Sequence, residues 1–262
     1  MRDSALKFIV LIVLGVFLVA PSAGLRAGDA DANPLPEIKA DPAEWKTMIE
    51  GTELAGWKKP AGLWETVGEV TIDPADEKKL IAKPGNGILY NGPKGRTQDI
   101  FSTAEFGDCA VHIEFMVSKN SNSGVYFQGA YELQILDSFG IEKSDHPGGE
   151  CGGLYQRWDP ARGKGNEGFE GHSPSKNVSR APGEWQSFDV IFQAPKFDDA
   201  GKKIADAKFI KVVHNGTVVH ENVELHGSTR GGGPEKAMGP FRLQGDHGPV
   251  AFRNFKVLPM KK

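Results

Sequence analysis

Side chains able to exchange protons or grip hydroxyl groups gather in two short stretches of this chain. NSGVYFQGAYELQILDS (122–138) carries Glu132, Gln134 and Asp137, and QGDHGP (244–249) carries His247 between Gly245 and Gly248. Two carboxylates, an amide and an imidazole that titrates near neutral pH are the groups needed to take a proton from an organic substrate, return one, and hold oxygens meanwhile. Glu132, Gln134 and Asp137 stand at i, i+2 and i+5. A plain strand sends Asp137 to the opposite face, whereas a one-residue bulge before it brings all three to one wall. The competing reading is an edge hairpin with a solvated outer face, which antiparallel sheets commonly present.

The elements that must position these groups are strands. In the first stretch Val125, Phe127, Tyr131, Leu133 and Ile135 alternate with Tyr126, Gln128, Glu132 and Gln134, giving an apolar and a polar face on two strands joined at Gly129-Ala130. Residues 110–117 alternate with Val111, Ile113 and Phe115 inward and His112 and Glu114 outward. Leu80-Ile81-Ala82 and residues 87–90 read as separate short strands, Asn215-Gly216 as a two-residue hairpin turn, and residues 250–259 as the closing strand. About a dozen short strands with hardly any helix make the fold class all-β, two packed sheets in a jelly-roll sandwich; no repeat supports a propeller. If the polar positions share one sheet, His112, Glu114, Tyr126, Gln128, Glu132, Gln134, Arg242, Gln244 and Arg253 line a concave face with Tyr155 and Trp158 at its rim. That mixture suits a sugar, whose hydroxyls pair with donors and acceptors and whose CH faces stack on rings. The irregular stretch 158–182, of a length usually reserved for binding loops, borders it.

The chain has 262 residues, 39% of them hydrophobic, with 33 Gly, 17 Pro and a formal net charge of −3. Arg2 and Lys7 ahead of the apolar run 8–20, then Pro21 and small residues, read as a signal peptide over 1–27; a run of about 13 residues is short against the roughly 20 that span a bilayer. Residues 28–43, rich in Pro, Ala and acid, read as a flexible lead, and 44–262 as one domain. Cleavage near Ala27 removes Arg2, Lys7, Arg26 and Asp3, so the mature charge becomes −5. An exported, periplasmic or secreted protein of that charge is a poor partner for nucleic acid and has no membrane segment left after cleavage. The two cysteines, Cys109 and Cys151, offer no zinc-site spacing; they form a disulfide or remain two small buried thiols. No cofactor is expected, although the acidic turn at Asp198, Asp199 and Asp206 can bind structural calcium.

NSGVYFQGAYELQILDS, CGGLYQ, PGEWQSFDVIF, VVHNGTVVHENVEL and GPFRLQGDHGPVAFRNFKV, in this order, resemble the 3-keto-disaccharide hydrolase family over nearly all of residues 45–259. The resemblance implies a concanavalin A-like jelly-roll β-sandwich acting on glycosides oxidised at C3, by 1,2-elimination, by hydration of the resulting glucal, or by both. A ketone at C3 acidifies the C2 proton, so the chemistry needs a base, an acid for the departing oxygen, and donors for the enolate. Glu132, Asp137 and His247 are the candidates for acid and base, and Gln134, Gln244 and Arg242 for holding oxygens. Two other readings stand beside it. A retaining jelly-roll glycosidase carries E-x-D-x-x-E where this chain has E-L-Q-I-L-D, and its carboxylates lie about 5–5.5 Å apart. A lectin-like module on the same fold binds sugar without cleaving it.

Overall fold

Alternation of apolar and polar residues, repeatedly interrupted by Gly and Pro, leaves this chain little option but short strands. The computed structural model describes Leu35, Ile38 and residues 40–142 and 145–260. The signal-peptide segment 1–27 and most of the lead 28–43 lie outside the described residues. Among the described residues there are sixteen strands. In chain order the first eight are β1 (Lys46–Thr47), β2 (Glu65–Asp73), β3 (Asp76–Tyr90), β4 (Ile100–Phe106), β5 (Cys109–Val117), β6 (Asn122–Phe127), β7 (Tyr131–Leu136) and β8 (Arg157–Trp158). Then follow β9 (Gly168–Phe169), β10 (Gln186–Gln193), β11 (Lys196–Phe197), β12 (Lys203–Ala205), β13 (Ala207–His214), β14 (Thr217–Leu225), β15 (Gly239–Leu243) and β16 (Val250–Pro259). Among the described residues helix is confined to two single 3₁₀ turns, Pro42–Glu44 and Pro160–Arg162. No helix among the described residues is long and apolar enough to cross a membrane.

The larger sheet runs β14-β13-β10-β5-β16-β3-β2, with β1 also on β16, and the smaller runs β4-β15-β6-β7. All their pairings are antiparallel. One apolar cluster fills the space between them: Val125, Phe127, Leu133, Ile135, Phe241 and Leu243 from the smaller sheet meet Val111, Ile113, Phe115, Phe188, Phe192, Phe209 and Phe252 from the larger. Phe127 sits in the middle, its ring 5.0 Å from those of Phe192 and Phe209 and 5.2 Å from that of Phe241. Truncating such a ring to Ala typically costs about 3–5 kcal/mol. This is the expected jelly-roll sandwich, and the five apolar residues assigned to the core face of the β6–β7 hairpin are all in it.

The two short strands expected at 80–82 and 87–90 are one strand, β3. Its partner β2 shifts register between Val67 and Glu69, where Gly68 and Gly85 meet backbone to backbone with no room for a Cβ. The glycine that looked like a strand break therefore permits a bulge inside a continuous ladder. At the Asn215-Gly216 turn both residues have positive φ, 49° and 79°, as the two-residue hairpin requires. Leu35 is buried against Ala110, Ile191 and Leu258 on the far face of the larger sheet.

Three expectations are corrected. The disulfide is absent: Cys109 and Cys151 are free and buried. Cys109 begins β5 in the larger sheet, whereas the Cys151 amide donates to Ser138 Oγ just beyond β7 of the smaller sheet. The acidic turn is not arranged for calcium. Asp198 accepts from the Ala200 and Lys202 amides, and Asp206 pairs with Lys203 at 2.7 Å and His226 at 2.6 Å. No cluster of three or more metal-ligating side chains occurs among the described residues. Arg253, with His112 and Glu114, belongs to the other sheet: β16 and β5 turn Phe252 and Phe115 into the core and these polar residues to the opposite face. There Arg253 Nε donates to Glu114 (2.6 Å) and its guanidinium lies 4.1 Å over Trp185, while His112 Nδ1 meets Asp189 at 2.5 Å.

Candidate active site

The outward face of the smaller sheet is where proton-moving groups converge. Register aligns one row across four strands: Phe101 on β4 opposite Arg242 on β15, Arg242 opposite Tyr126 on β6, and Tyr126 opposite Glu132 on β7. Segment 152–155 extends the row as a further edge, since the Tyr155 amide donates to the Glu132 carbonyl and Leu154 bridges Leu133. Leu154 and Leu133 both point into the core, so Tyr155 stands on Glu132's side. A second row, one step along, is Gln244, Gly124 and Gln134.

Glu132 occupies the centre. It is 3% exposed although it points away from the sandwich core, because other segments roof it. One is the glycine-rich loop 227–237: Thr229 Oγ1 accepts from the Glu132 amide and donates to Ala130, the Gly233 amide donates to Gly129, and Arg242 Nη1 donates to the Gly231 carbonyl at 2.6 Å. The carboxyl extends over Gly124, where a Cβ would collide with Glu132 Oε1; glycine at 124 makes its berth. Burial raises the Glu132 pKa to about 8, against the Tyr126 hydrogen bond and the Arg242 charge that pull it down; Asp99 and Asp246 push it further up. The Tyr126 hydroxyl is raised too, by burial first and the adjacent Glu132 second.

Arg242 is spoken for. Its Nε donates to Asp99 Oδ2 at 2.6 Å, and its guanidinium lies 4.2 Å over the Tyr126 ring. Asp99 also accepts from the Gly245 amide at 2.9 Å, anchoring the tight loop that carries Asp246 and His247. That loop is pinned again where the Asn122 amide donates to the His247 carbonyl. His247 itself is half exposed at the rim, its Nδ1 on the Asp246 carboxylate. Beside Glu132, the oxygens of Gln134, Gln244 and Asn122 are buried without any hydrogen-bond partner. Three acceptors left open around one carboxyl are what a ligand with several hydroxyl donors would fill.

Of the expected site residues, the fold brings Glu132, Gln134, Tyr126, Arg242 and Gln244 together, with Tyr155 beside them and His247 at the rim. Tyr155 packs edge-on against His146, ring centroids 5.4 Å apart. Others go elsewhere. No bulge interrupts the β6–β7 register, so Asp137 continues it against Ser121, on the face opposite Glu132, and its carboxylate accepts from the Asn120 amide. Gln128 is in the hairpin turn with φ of 56°, its amide donating to Phe106 and Ala237. Trp158 stands further out on β8, covered by Arg230 at 3.8 Å. Sequence reasoning missed Asp99, Phe101, Asn122 and Asp246. Asp246 was signalled by its place beside His247; Asp99 carries no local signal, because only the insertion of β15 beside β4 gives it a partner.

Solved structures with the same fold include two candidate glycosyl hydrolases from Parabacteroides distasonis ATCC 8503. One is 24% identical with a TM-score of 0.57, covering 83% of this chain and 84% of its own; the other is 18% identical with a TM-score of 0.53, covering 82% and 99%. At those identities the likeness concerns the fold. No curated protein matches the sequence. The 3-keto-alpha-glucoside-1,2-lyase-like domain matches residues 44–258, and the chain belongs to that family.

Proposed function

We propose that this protein cleaves 3-keto-glycosides by 1,2-elimination followed by hydration, with Glu132 and His247 exchanging the protons. Family membership supports the substrate class. The observation that carries the chemistry is Glu132, a carboxyl roofed over inside a polar wall whose pKa is raised to about 8. At neutral pH it is mainly protonated and so suited to give a proton to a departing oxygen. His247, oriented through Nδ1 by Asp246, presents its other ring nitrogen as the base. In the first step the base takes the C2 proton, those electrons form the C1–C2 double bond, the C1–O bond breaks, and Glu132 protonates the aglycone oxygen. In the second, the Glu132 carboxylate takes a proton from water as its oxygen bonds to C1, and the imidazolium returns a proton to C2. The sum is hydrolysis. Gln134, Gln244 and Asn122, with their open acceptor oxygens, hold the sugar hydroxyls.

The test is incubation with a 3-keto-glucoside in D₂O. Deuterium at C2 of the released 3-keto-glucose, beyond what authentic 3-keto-glucose acquires in the same buffer, is the expected result. Glu132→Gln and His247→Ala should each slow turnover by about 10²- to 10⁴-fold. Release without C2 deuterium, or equal turnover of the unoxidised glucoside, would replace elimination with a glycosidase mechanism. The basic and apolar residues at 2–20 further support export of the enzyme. Sequencing the N-terminus of the mature protein checks this: a start near residue 28 is expected, and an intact Met1 refutes it.

A further inference from the structure

A cleft of about 460 Å³ opens at the β4 end of the active-site row, lined by Lys58, Lys59, Pro60, Gln98, Asp99, Phe101 and Asp246. A volume of that order accommodates one or two small rings. Phe101 stands on the same face as Glu132, three strand spacings away through Arg242 and Tyr126, which at about 4.8 Å each is roughly 14 Å between backbones. A substrate with its reacting ring over Gly124 and Glu132 would extend its leaving group towards this cleft, where Phe101 offers a ring face and Asp246 an acceptor.

Charge selects among leaving groups. Both carboxylates of the cleft are engaged, Asp99 by Arg242 and the Gly245 amide, Asp246 by His247. The cations are not matched in the same way. Lys59 Nζ donates to the Glu53 carbonyl at 3.0 Å and Arg96, just outside, to the Asp246 carbonyl at 2.8 Å, so both keep their full charge. Lys58 is exposed; its backbone amide donates to the Phe101 carbonyl at 2.8 Å, and its ammonium has no hydrogen-bond or ion-pair partner among the described residues. The uncompensated charge at the mouth is positive. We propose that this cleft is the leaving-group subsite and that it takes a ring carrying an anionic substituent, a carboxylate or a sulfate, received by Lys58 above the Phe101 face. The proposal rests on the active-site reading above for the position of the reacting ring.

Binding and turnover separate the two ideas. Methyl hexuronoside, its neutral hexoside counterpart and a sulfated hexoside are titrated calorimetrically into the full protein, without any keto sugar. Charge-assisted recognition should favour an anionic ligand by on the order of tenfold. A preference for the uronoside alone identifies a carboxylate as the natural group, and a preference for the sulfated ring alone identifies a sulfate. Added salt should erode the preference, and Lys58→Gln, at an exposed position, should collapse the anionic-to-neutral affinity ratio towards one. Equal affinity for all three ligands, or an anionic preference that survives Lys58→Gln, overturns the proposal. With 3-keto-glucosides bearing these leaving groups, kcat/KM should follow the same order. Anion-selective binding without turnover of any 3-keto-glucoside would remove the elimination reading and leave the subsite standing.

Discussion

Replacing Glu132 with Gln keeps the shape of the side chain and abolishes its titration, so it isolates the property on which the proposed chemistry depends. In the folded protein the carboxyl keeps its proton until about pH 8, compared with an ordinary value of 4.5. Because the folded pKa is raised, the native state binds more protons than the unfolded chain throughout that interval. Stability therefore falls as pH rises from about 4.5 to about 8 and levels off beyond. The two values lie about 3.5 pH units apart; at about 1.36 kcal/mol per unit, the loss is capped at roughly 5 kcal/mol, and water admitted beside an ionised Glu132 would reduce it. Urea unfolding of both proteins, followed by tryptophan fluorescence at fixed pH values from 5 to 9, measures the difference directly. The variant should be within about 1 kcal/mol of the parent near pH 5, where both groups are neutral. It should gain on the parent steadily to pH 8 and hold a constant advantage above. His112 titrates in the same range but on the far face of the other sheet, so its contribution cancels between two distant-site proteins. A stability difference that does not change with pH would mean that Glu132 is ionised and solvated at neutral pH, and the acid role assigned to it would fall.

Three further outcomes follow from the geometry. On the outer face of the larger sheet His112 is raised to about 9, burial opposing the shift and the hydrogen bonds to Asp189 and Glu114 prevailing. Its contribution is complete below pH 6.5 and lost as pH rises through about 9, so thermal melts of His112→Ala should show a deficit of about 2–3 kcal/mol at pH 6 that shrinks by pH 10; a constant deficit would contradict the assignment. Gly124→Ala puts a methyl group where the Glu132 carboxyl lies, at an ordinary backbone conformation, so kcat should drop by on the order of 10²-fold with little change in melting temperature; unchanged kcat would show that the carboxyl is not needed there. Burial holds the Cys109 thiol and, at about 12, the Cys151 thiol well above the ordinary cysteine value. A maleimide should therefore label neither in the native protein and both in urea, and labelling of one in the native state would refute their burial.

The fold was legible because its information is local. Alternation in residues 122–136 gave the two faces of the hairpin that holds Glu132, and Asn215-Gly216 gave a turn whose φ values leave few residues a choice. What failed depended on sheet membership. His112, Glu114 and Arg253 alternate as cleanly as Glu132 and Gln134, but β5 and β16 joined the other sheet, and a single-strand pattern does not say which sheet a strand joins. Asp137 failed for want of one residue of register: E-L-Q-I-L-D permits a bulge, and the hydrogen bonds to Ser121 and Asn120 decided against it. Asp99 was invisible because its partner is 143 residues away.

The position of β15 reaches beyond the site it helps to build. This strand, spanning only 239–243, lies between β4 and β6, and β16 lies likewise between β5 and β3. Both sheets thus receive an interior strand from the last tenth of the chain. A chain emerging from its N-terminus cannot complete either sheet in passing, and must wait with β4 and β6 unjoined and with Arg242 not yet supplied to Asp99 and Tyr126. Assembly is therefore a late, long-range event of high contact order, slow in character. Loss of a few dozen C-terminal residues would not trim an edge of the protein; it would withdraw the keystone of both layers at once.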